Sequence, residues 1–278
     1  MSQHILVIGG SGTVGSEIVK ILKSAGHSVR VTTSKPSTSA DVVQANLVTG
    51  EGLDASFANI DRAFFLSPGG YADQYAVLAP LIAKAKAAGL KKVVLMTAMG
   101  VDGAEGSPMR RAELDLIASG VPYNIIRPSW FNQNFVNFWG YGIKNLNTIA
   151  LPVGEGKTGF IDARDIAAVA AKLLVDDSRT GEGFTLTGPE ALSHAEVAAI
   201  ISEATGKTVA FADISPDELR PVLIGAGLPA DYTELLLVLL SYIKAGYTAT
   251  VTDAVEQITG AKPRTFKAFA AEAADSWK

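Results

Sequence analysis

The chain has 278 residues, of which 48% are hydrophobic and 19% are charged, so it can bury a core and is not a disordered polypeptide. Its formal net charge of −4, together with the lack of any basic run, predicts no partner among nucleic acids or anionic membranes. It has no cysteine and three widely separated histidines, so the sequence predicts neither a disulfide framework nor a metal site.

Short apolar strands alternate with helices along the first half of the chain. The predicted strands cover residues 5–8, 28–33, 42–45, 63–66, 93–96 and 123–126. Helical spacing of apolar residues, with a glycine at the end of each segment, predicts helices over 14–25, 75–88 and 111–119. Such alternation requires right-handed crossovers, and it therefore predicts an α/β fold with a doubly wound parallel sheet of the Rossmann type.

The pattern weakens after Pro128, and the remaining chain has mainly helical signals. Asp165 is predicted to cap a helix over 166–174, and residues 184–187 resemble a strand. Capping-box patterns begin at Ser193, Ser215 and Asp231. We expect a dinucleotide-binding domain over 1–150 and a smaller, mainly helical, substrate-covering lobe over 151–278, both within one globule.

The longest apolar run, residues 235–240, is too short to cross a bilayer and lacks an amphipathic period. It is interpreted as a buried helix or a subunit contact. The first residues lack the basic segment and the long apolar core of a signal peptide. We expect a soluble cytoplasmic protein, a monomer or homodimer, whose partner is a small-molecule substrate.

The most informative motif is a glycine-rich loop between the first predicted strand and the first helix. Gly9, Gly12 and Gly15 form a G-x-x-G-x-x-G pattern. The first glycine permits a tight turn, the second lets the backbone approach a pyrophosphate, and the third lets helix and strand pack closely. Since a helix N-terminus also favours phosphate groups, the loop predicts a bound dinucleotide; a glycine turn made only for packing is the alternative.

The end of the second predicted strand indicates which dinucleotide is bound. NAD sites of this type place an acidic residue there to hold the ribose 2′-hydroxyl. This chain has Thr33, Ser34 and Lys35 instead, and no acidic residue occurs before Asp41. Hydroxyls and an ammonium group can accept a 2′-phosphate, which favours NADPH. The alternative is that Lys35 is only an exposed loop residue and both cofactors bind.

Further motifs accompany the glycine loop. They are Met-Thr-Ala-Met-Gly at 96–100, Glu-Leu at 113–114, Ser-Gly-Val-Pro-Tyr at 119–123, Ile-Arg-Pro at 126–128 with Phe131 and Asn134, Asp162-x-x-Asp165, Leu-Thr-Gly-Pro-Glu at 186–190, and Gly260-x-x-Pro263-Arg264. Over nearly its whole length the chain resembles the NmrA-like, atypical short-chain dehydrogenase/reductase family. That family includes NAD(P)H-dependent quinone, dye and imine reductases and NADP-binding regulators.

The resemblance implies a role for each segment around the cofactor. The pyrophosphate would lie on Gly9, Ser11, Gly12, Thr13 and Val14; the 2′-phosphate on Thr33, Ser34 and Lys35; and the adenine beside Asn46 and Leu47. The ribose would contact Leu66, Ser67 and Pro68, and the nicotinamide would lie beside Thr97, Ala98 and Met99, with Ser129, Trp130 and Phe131 closing over it.

The chain departs from ordinary short-chain reductases at the proton donor. Those enzymes use a Tyr-x-x-x-Lys pair, and no such pair occurs here in a suitable place. Arg110 stands where the family's active-site lysine would fall, and arginine orients a substrate better than it donates a proton. Arg110 and Tyr71, which lies in a glycine-rich loop after the fourth predicted strand, are the candidate catalytic residues.

Aromatic residues are concentrated after the sixth predicted strand, and they suggest a pocket for a flat substrate. Trp130, Phe131, Asn134 and Phe138 are the candidate substrate-binding residues. The alternative is that several of these rings pack the C-terminal lobe. Together the motifs predict an NADPH-dependent oxidoreductase that transfers hydride to a planar, electron-poor acceptor such as a quinone, an imine or a dye. A non-catalytic NADP(H) sensor is the alternative function.

Overall fold

The computed structural model describes residues 2–278, and a seven-stranded parallel sheet organises it. Its strands are β1 (His4–Val7), β2 (Ser28–Thr33), β3 (Val42–Gln44), β4 (Arg62–Phe65), β5 (Lys92–Met96), β6 (Tyr123–Pro128) and, after β7 (Thr148–Leu151) and β8 (Lys157–Thr158), β9 (Gly183–Leu186). The strand order is β3-β2-β1-β4-β5-β6-β9, and every neighbouring pair is parallel. The predicted doubly wound parallel sheet is confirmed.

Helices cover both faces of the sheet because the strands are apolar on both sides. On one face, α1 (Thr13–Ser24) and two helices from later in the chain pack against Ile5 and Val7 of β1. On the other face, Leu6 and Ile8 are covered by α2 (Leu53–Phe57), α3 (Gln74–Ala87) and α4 (Pro108–Ser119). The alternation of β1 side chains between two cores follows from the period of two along a strand. A short 3₁₀ helix, Val101–Gly103, precedes α4.

The chain after β6 is mainly helical, and much of it builds a second layer beside the sheet. It comprises α5 (Asn134–Asn137), α6 (Gly140–Leu146), α7 (Ala163–Val175), β10 (Leu192–Ser193), α8 (His194–Thr205), β11 (Ala210–Asp213), α9 (Pro216–Gly225), α10 (Ala230–Lys244), α11 (Ala254–Thr259), α12 (Phe266–Ala273) and a 3₁₀ helix over Ala274–Trp277. β7 pairs with β11, and β8 pairs with β10. A separate core joins Phe135 to Trp277, whose indole donates to the Phe135 carbonyl at 2.8 Å.

Three elements beyond residue 150 belong to the layers of the sheet itself. β9 forms its edge beside β6, α7 packs against α1, and α11 packs against α7 and β9. The sheet and its helices thus include residues on both sides of position 150, and the domain boundary predicted there stays a prediction. Within residues 2–278, no helix is both long enough and apolar enough to cross a membrane.

Two predicted helix starts are wrong. The cap of α7 is Asp162, whose carboxylate accepts from the Arg164 amide at 2.8 Å, whereas Asp165 lies in the first turn and accepts from the Arg264 amide at 2.7 Å. Asp231 likewise lies inside the first turn of α10, because the helix already begins after Pro229. The capping boxes at Ser193 and Ser215 are confirmed.

The run of residues 235–240 lies in α10, where half of it is buried. Leu236, Leu237 and Leu240 face the C-terminal core, while Val238 and Leu239 are exposed. The same core surrounds His194 with aromatic rings, and burial lowers the pKa of this histidine to about 4. The side chain is neutral at physiological pH and acts there as a packing residue.

Candidate functional site

A cleft of about 930 Å³ opens at the carboxyl ends of the central strands, where the strand order reverses between β1 and β4. This is the position at which open α/β sheets bind their ligands. The predicted cofactor residues in its lining are Gly9, Ser11, Gly12, Thr13, Val14, Thr33, Ser34, Lys35, Asn46, Leu47, Leu66, Ser67 and Pro68. The fold thus brings together segments that lie up to about sixty residues apart in the chain.

The glycine loop turns tightly between β1 and α1. Gly9 has a φ of +70°, which favours glycine, and the Gly12 amide donates to the Gly9 carbonyl at 2.9 Å. A β-carbon at Gly15 would overlap that same carbonyl oxygen, so this position requires glycine for close packing. Gly12 itself has φ −85° and ψ 179°, an ordinary extended backbone, so its role is to leave space in the cleft.

The N-terminus of α1 faces the cleft without a competing anion. No side chain caps this helix, and its first turn contains no acidic residue. Its unpaired amide groups and the positive end of its dipole are therefore open to a phosphate. The residues present fit the pyrophosphate of a dinucleotide.

One end of the cleft has the chemistry of a 2′-phosphate site. Thr33, Ser34 and Lys35 lie beside Asn46, and the Thr33 hydroxyl accepts from the Lys35 amide at 3.2 Å. No acidic side chain occurs in the cleft lining formed by residues 2–278. A negatively charged group would meet one ammonium and several hydroxyls there, and no carboxylate.

The opposite end of the cleft is apolar and aromatic. Leu66, Pro68, Tyr71, Met96 and Phe131 line it. Met96 was not among the predicted site residues, although its place as the last residue of β5 is the signal that could have identified it. A flat ring fits such a surface, because apolar and aromatic side chains bury planar ligands well.

Three residues predicted to lie beside the nicotinamide follow β5 but do not contribute to the cleft lining. They are Thr97, Ala98 and Met99. Thr97 is 5% exposed, and its hydroxyl donates to the carboxylate of Glu113 at 2.7 Å. Its contact with a cofactor stays a prediction.

The two candidate catalytic residues are in different surroundings. Tyr71 lines the cleft and is 41% exposed, so a ligand can reach its hydroxyl. Arg110 is outside the lining, and its guanidinium donates to Glu113 at 2.8 Å. Because that ion pair engages Arg110, the arginine is less available to a substrate than the sequence suggested.

Glu113 is the centre of a buried charge cluster behind the cleft. Its carboxylate accepts from the Arg127 guanidinium at 2.8 and 2.9 Å, as well as from Arg110 and Thr97. Burial by itself would raise the pKa of Glu113, but the hydrogen bonds from Arg127, Thr97 and Arg110 outweigh it and lower the pKa. Glu113 was part of a motif recognised in the sequence, but the charge cluster around it was not predicted.

The predicted substrate-binding residues are not all at the cleft. Phe131 lines it, whereas Trp130 packs against the C-terminal core and Phe138 is 52% exposed. Asn134 begins α5. The alternative that some rings pack the C-terminal lobe therefore holds for Trp130 and for Phe135, which is buried in that core.

Two buried polar side chains flank Phe131. The Ser129 hydroxyl and both amide atoms of Asn132 have no hydrogen-bond partner within residues 2–278. Buried polar groups are normally paired, so these atoms retain hydrogen-bonding capacity, but neither residue belongs to the cleft lining.

The model of the NmrA-like family matches residues 1–270. The chain is 37% identical to an uncharacterised oxidoreductase, YesF, of Bacillus subtilis, covering 98% of this chain and 96% of that protein. It is 33% identical to an NAD(P)H azoreductase of Xenophilus azovorans, covering 96% of each. The triphenylmethane reductase of Citrobacter sp., solved with NADP(H), has the same fold, with a TM-score of 0.82 at 21% identity, over 99% of this chain and 100% of the other.

Proposed function

The chain belongs to the NmrA-like family, and from that premise we propose that it is an NAD(P)H-dependent oxidoreductase that reduces planar, electron-poor small molecules. The observation that carries the proposal is one continuous cleft whose two ends differ in chemistry. The glycine loop and the uncapped N-terminus of α1 lie in the middle of the cleft. Hydroxyl groups and a lysine line one end, and aromatic and apolar side chains line the other. The azoreductase relative supports the same reaction class.

We propose that the chain holds NADPH along this cleft. The loop from Gly9 to Val14 would bind the pyrophosphate, Ser34 and Lys35 the 2′-phosphate, and Asn46 the adenine. The bound dihydronicotinamide would supply the hydride, which is the difficult part of the chemistry. The protein's contribution would then be to hold an acceptor against Met96 and Phe131 and to exclude water.

The acceptor class follows from the few titratable groups in the cleft. Within residues 2–278 the lining contains Lys35, at the adenine end, and Tyr71, at the aromatic end. Tyr71 therefore lacks the lysine neighbour that activates tyrosine in ordinary short-chain reductases. We propose electron-poor acceptors that depend less on acid catalysis than a simple ketone does, such as quinones, azo compounds and cationic dyes. Consumption of NADPH with a panel of such acceptors tests the proposal.

The double variant Ser34→Asp, Lys35→Ala is expected to change cofactor preference. The new carboxylate at position 34 repels the 2′-phosphate and the ammonium of Lys35 is lost, so the Kd for NADPH should rise roughly 10- to 100-fold, whereas the Kd for NADH should change less than about 3-fold. Titration of each cofactor by isothermal calorimetry measures both values. Lys262→Ala, which removes an exposed positive charge elsewhere, is the control. Equal changes for both cofactors would place the 2′-phosphate elsewhere.

A further inference from the structure

A tyrosine of the C-terminal lobe approaches a glycine of the cleft lining, although it is not itself part of that lining. Tyr232 lies in the first turn of α10, and its hydroxyl would be 3.4 Å from a β-carbon built on Gly69. Gly69 follows β4 and lines the cleft together with Pro68 and Tyr71. Nothing in the sequence around Tyr232 predicts this approach, because α10 is distant in the chain from β4.

The hydroxyl of Tyr232 is free to bind a ligand. The backbone amide of this residue donates to the Asp231 carboxylate at 2.8 Å, but its hydroxyl has no hydrogen-bond partner within residues 2–278. The residue is half-buried, and its hydroxyl lies close to Gly69. A phenol whose oxygen is unpaired retains a hydrogen-bond donor for a ligand.

Gly69, which the Tyr232 hydroxyl approaches, lies in the segment after β4 that borders the end of the cleft proposed above for the acceptor. The corner formed by Lys35 and Asn46 is the other end, and the glycine loop lies between the two. Of the two candidates from sequence, Arg110 is held by Glu113, which leaves the phenols of Tyr71 and Tyr232 as donors near Gly69.

We propose that the Tyr232 hydroxyl donates a hydrogen bond, and then its proton, to the acceptor atom that gains negative charge during reduction. The inference rests on the proposed function. Hydride transfer brings two electrons and one proton to a neutral quinone or azo group and leaves it as an anion. The O–H bond of Tyr232 then breaks while an O–H or N–H bond forms on the acceptor, and water returns a proton to the phenolate.

The charge of the acceptor decides whether Tyr232 contributes. A neutral quinone becomes an anion after hydride transfer, so a donor at its oxygen stabilises the transition state. A cationic triphenylmethane dye becomes neutral and develops no such anion. Tyr232 therefore selects for neutral acceptors, and its removal should affect the two classes differently.

Tyr232→Phe tests this, because it removes one oxygen and keeps the ring. We expect kcat/KM for a neutral benzoquinone and for an azo dye to fall about 10- to 100-fold. This loss is at or below the rate loss usually caused by removing one positioned hydrogen-bond donor, because Tyr232 is only half-buried. With a cationic triphenylmethane dye, kcat/KM should change less than about 2-fold. Tyr242→Phe is the matched control: it lies on the same helix, is 47% exposed and packs against Tyr247.

A binding measurement separates a donor from a merely structural residue. In the presence of NADP⁺, 2,4-dinitrophenolate imitates the reduced anion, and its Kd should rise about 10-fold in Tyr232→Phe, while the Kd for NADP⁺ stays unchanged. Equal losses with neutral and cationic acceptors, or no loss with either, would overturn the inference and leave the proposed function standing. A wild-type protein that binds NADPH but reduces none of the acceptors would instead contradict the proposed function and, with it, this inference.

Discussion

Gly12→Val is expected to weaken NADPH binding at least about 100-fold, a loss of ~2.8 kcal/mol, without unfolding the protein. The backbone of Gly12 is extended, with φ −85° and ψ 179°, a conformation that valine adopts readily. A β-carbon there meets no atom closer than the Gly9 carbonyl oxygen at 3.2 Å, so a modest adjustment accommodates it. The added methyl groups would occupy the space in the cleft that the pyrophosphate requires.

Fluorescence titration with NADPH measures the loss, and circular dichroism checks the fold. Gly103→Ala is the control, since a β-carbon at Gly103 meets no atom within 4 Å and the residue is outside the cleft lining. A folded Gly12→Val protein with unchanged NADPH affinity would contradict the assignment of the glycine loop. Gly15→Val is unsuitable for this purpose, because its side chain would collide with the backbone of the loop.

Glu113→Ala is expected to lower the free energy of unfolding by about 3–5 kcal/mol. The substitution leaves Arg127, which is 8% exposed, without its buried carboxylate, and it also frees Arg110 and Thr97. An uncompensated buried charge is far more costly than a broken surface pair. At roughly 2–4 °C per kcal/mol, the melting temperature should fall by about 10 °C.

Asp102→Ala provides the matched control for the charge cluster. Asp102 also faces Arg127, at 3.3 Å, but its side chain is 50% exposed. Its removal should cost less than about 1 kcal/mol. Thermal unfolding of both variants gives the comparison, and similar losses would mean that Glu113 does not anchor the cluster.

The sheet could be predicted from the sequence because its central strands are buried on both faces. Ile5 to Ile8 and residues 93–96 are continuous apolar runs that end at the cleft, and the predicted ends of these strands lie within one residue of the observed ones. The place of β9 in the sheet could not be predicted, since it pairs with β6 after more than fifty intervening residues and parallel pairing leaves no local signal. The start of α7 was similarly ambiguous, because Asp162 and Asp165 are equally good capping residues by type.

The glycine loop and the end of the cleft formed by Thr33, Ser34 and Lys35 could be predicted as parts of the cleft because each is local in sequence. The apolar, aromatic end of the cleft could not be predicted in this way. The side chain of Thr97, at the end of β5, can face either the cleft or Glu113, and the sequence does not determine which. Of the aromatic residues near Trp130, some line the cleft and others pack in the C-terminal core. Tyr232 reaches Gly69 only through the packing of α10 over the β4 loop.

The decrease in NADPH absorbance in the near ultraviolet, followed with a benzoquinone, an azo dye, a cationic triphenylmethane dye and an unactivated ketone, tests the central claim most directly. We expect turnover with the three electron-poor acceptors, and a kcat/KM for the quinone about 10²–10⁴-fold above that for the ketone, because within residues 2–278 the cleft lining has no adjacent tyrosine and lysine to act as an acid pair. Tight NADPH binding with no consumption by any acceptor would contradict the claim and identify a cofactor-binding sensor instead.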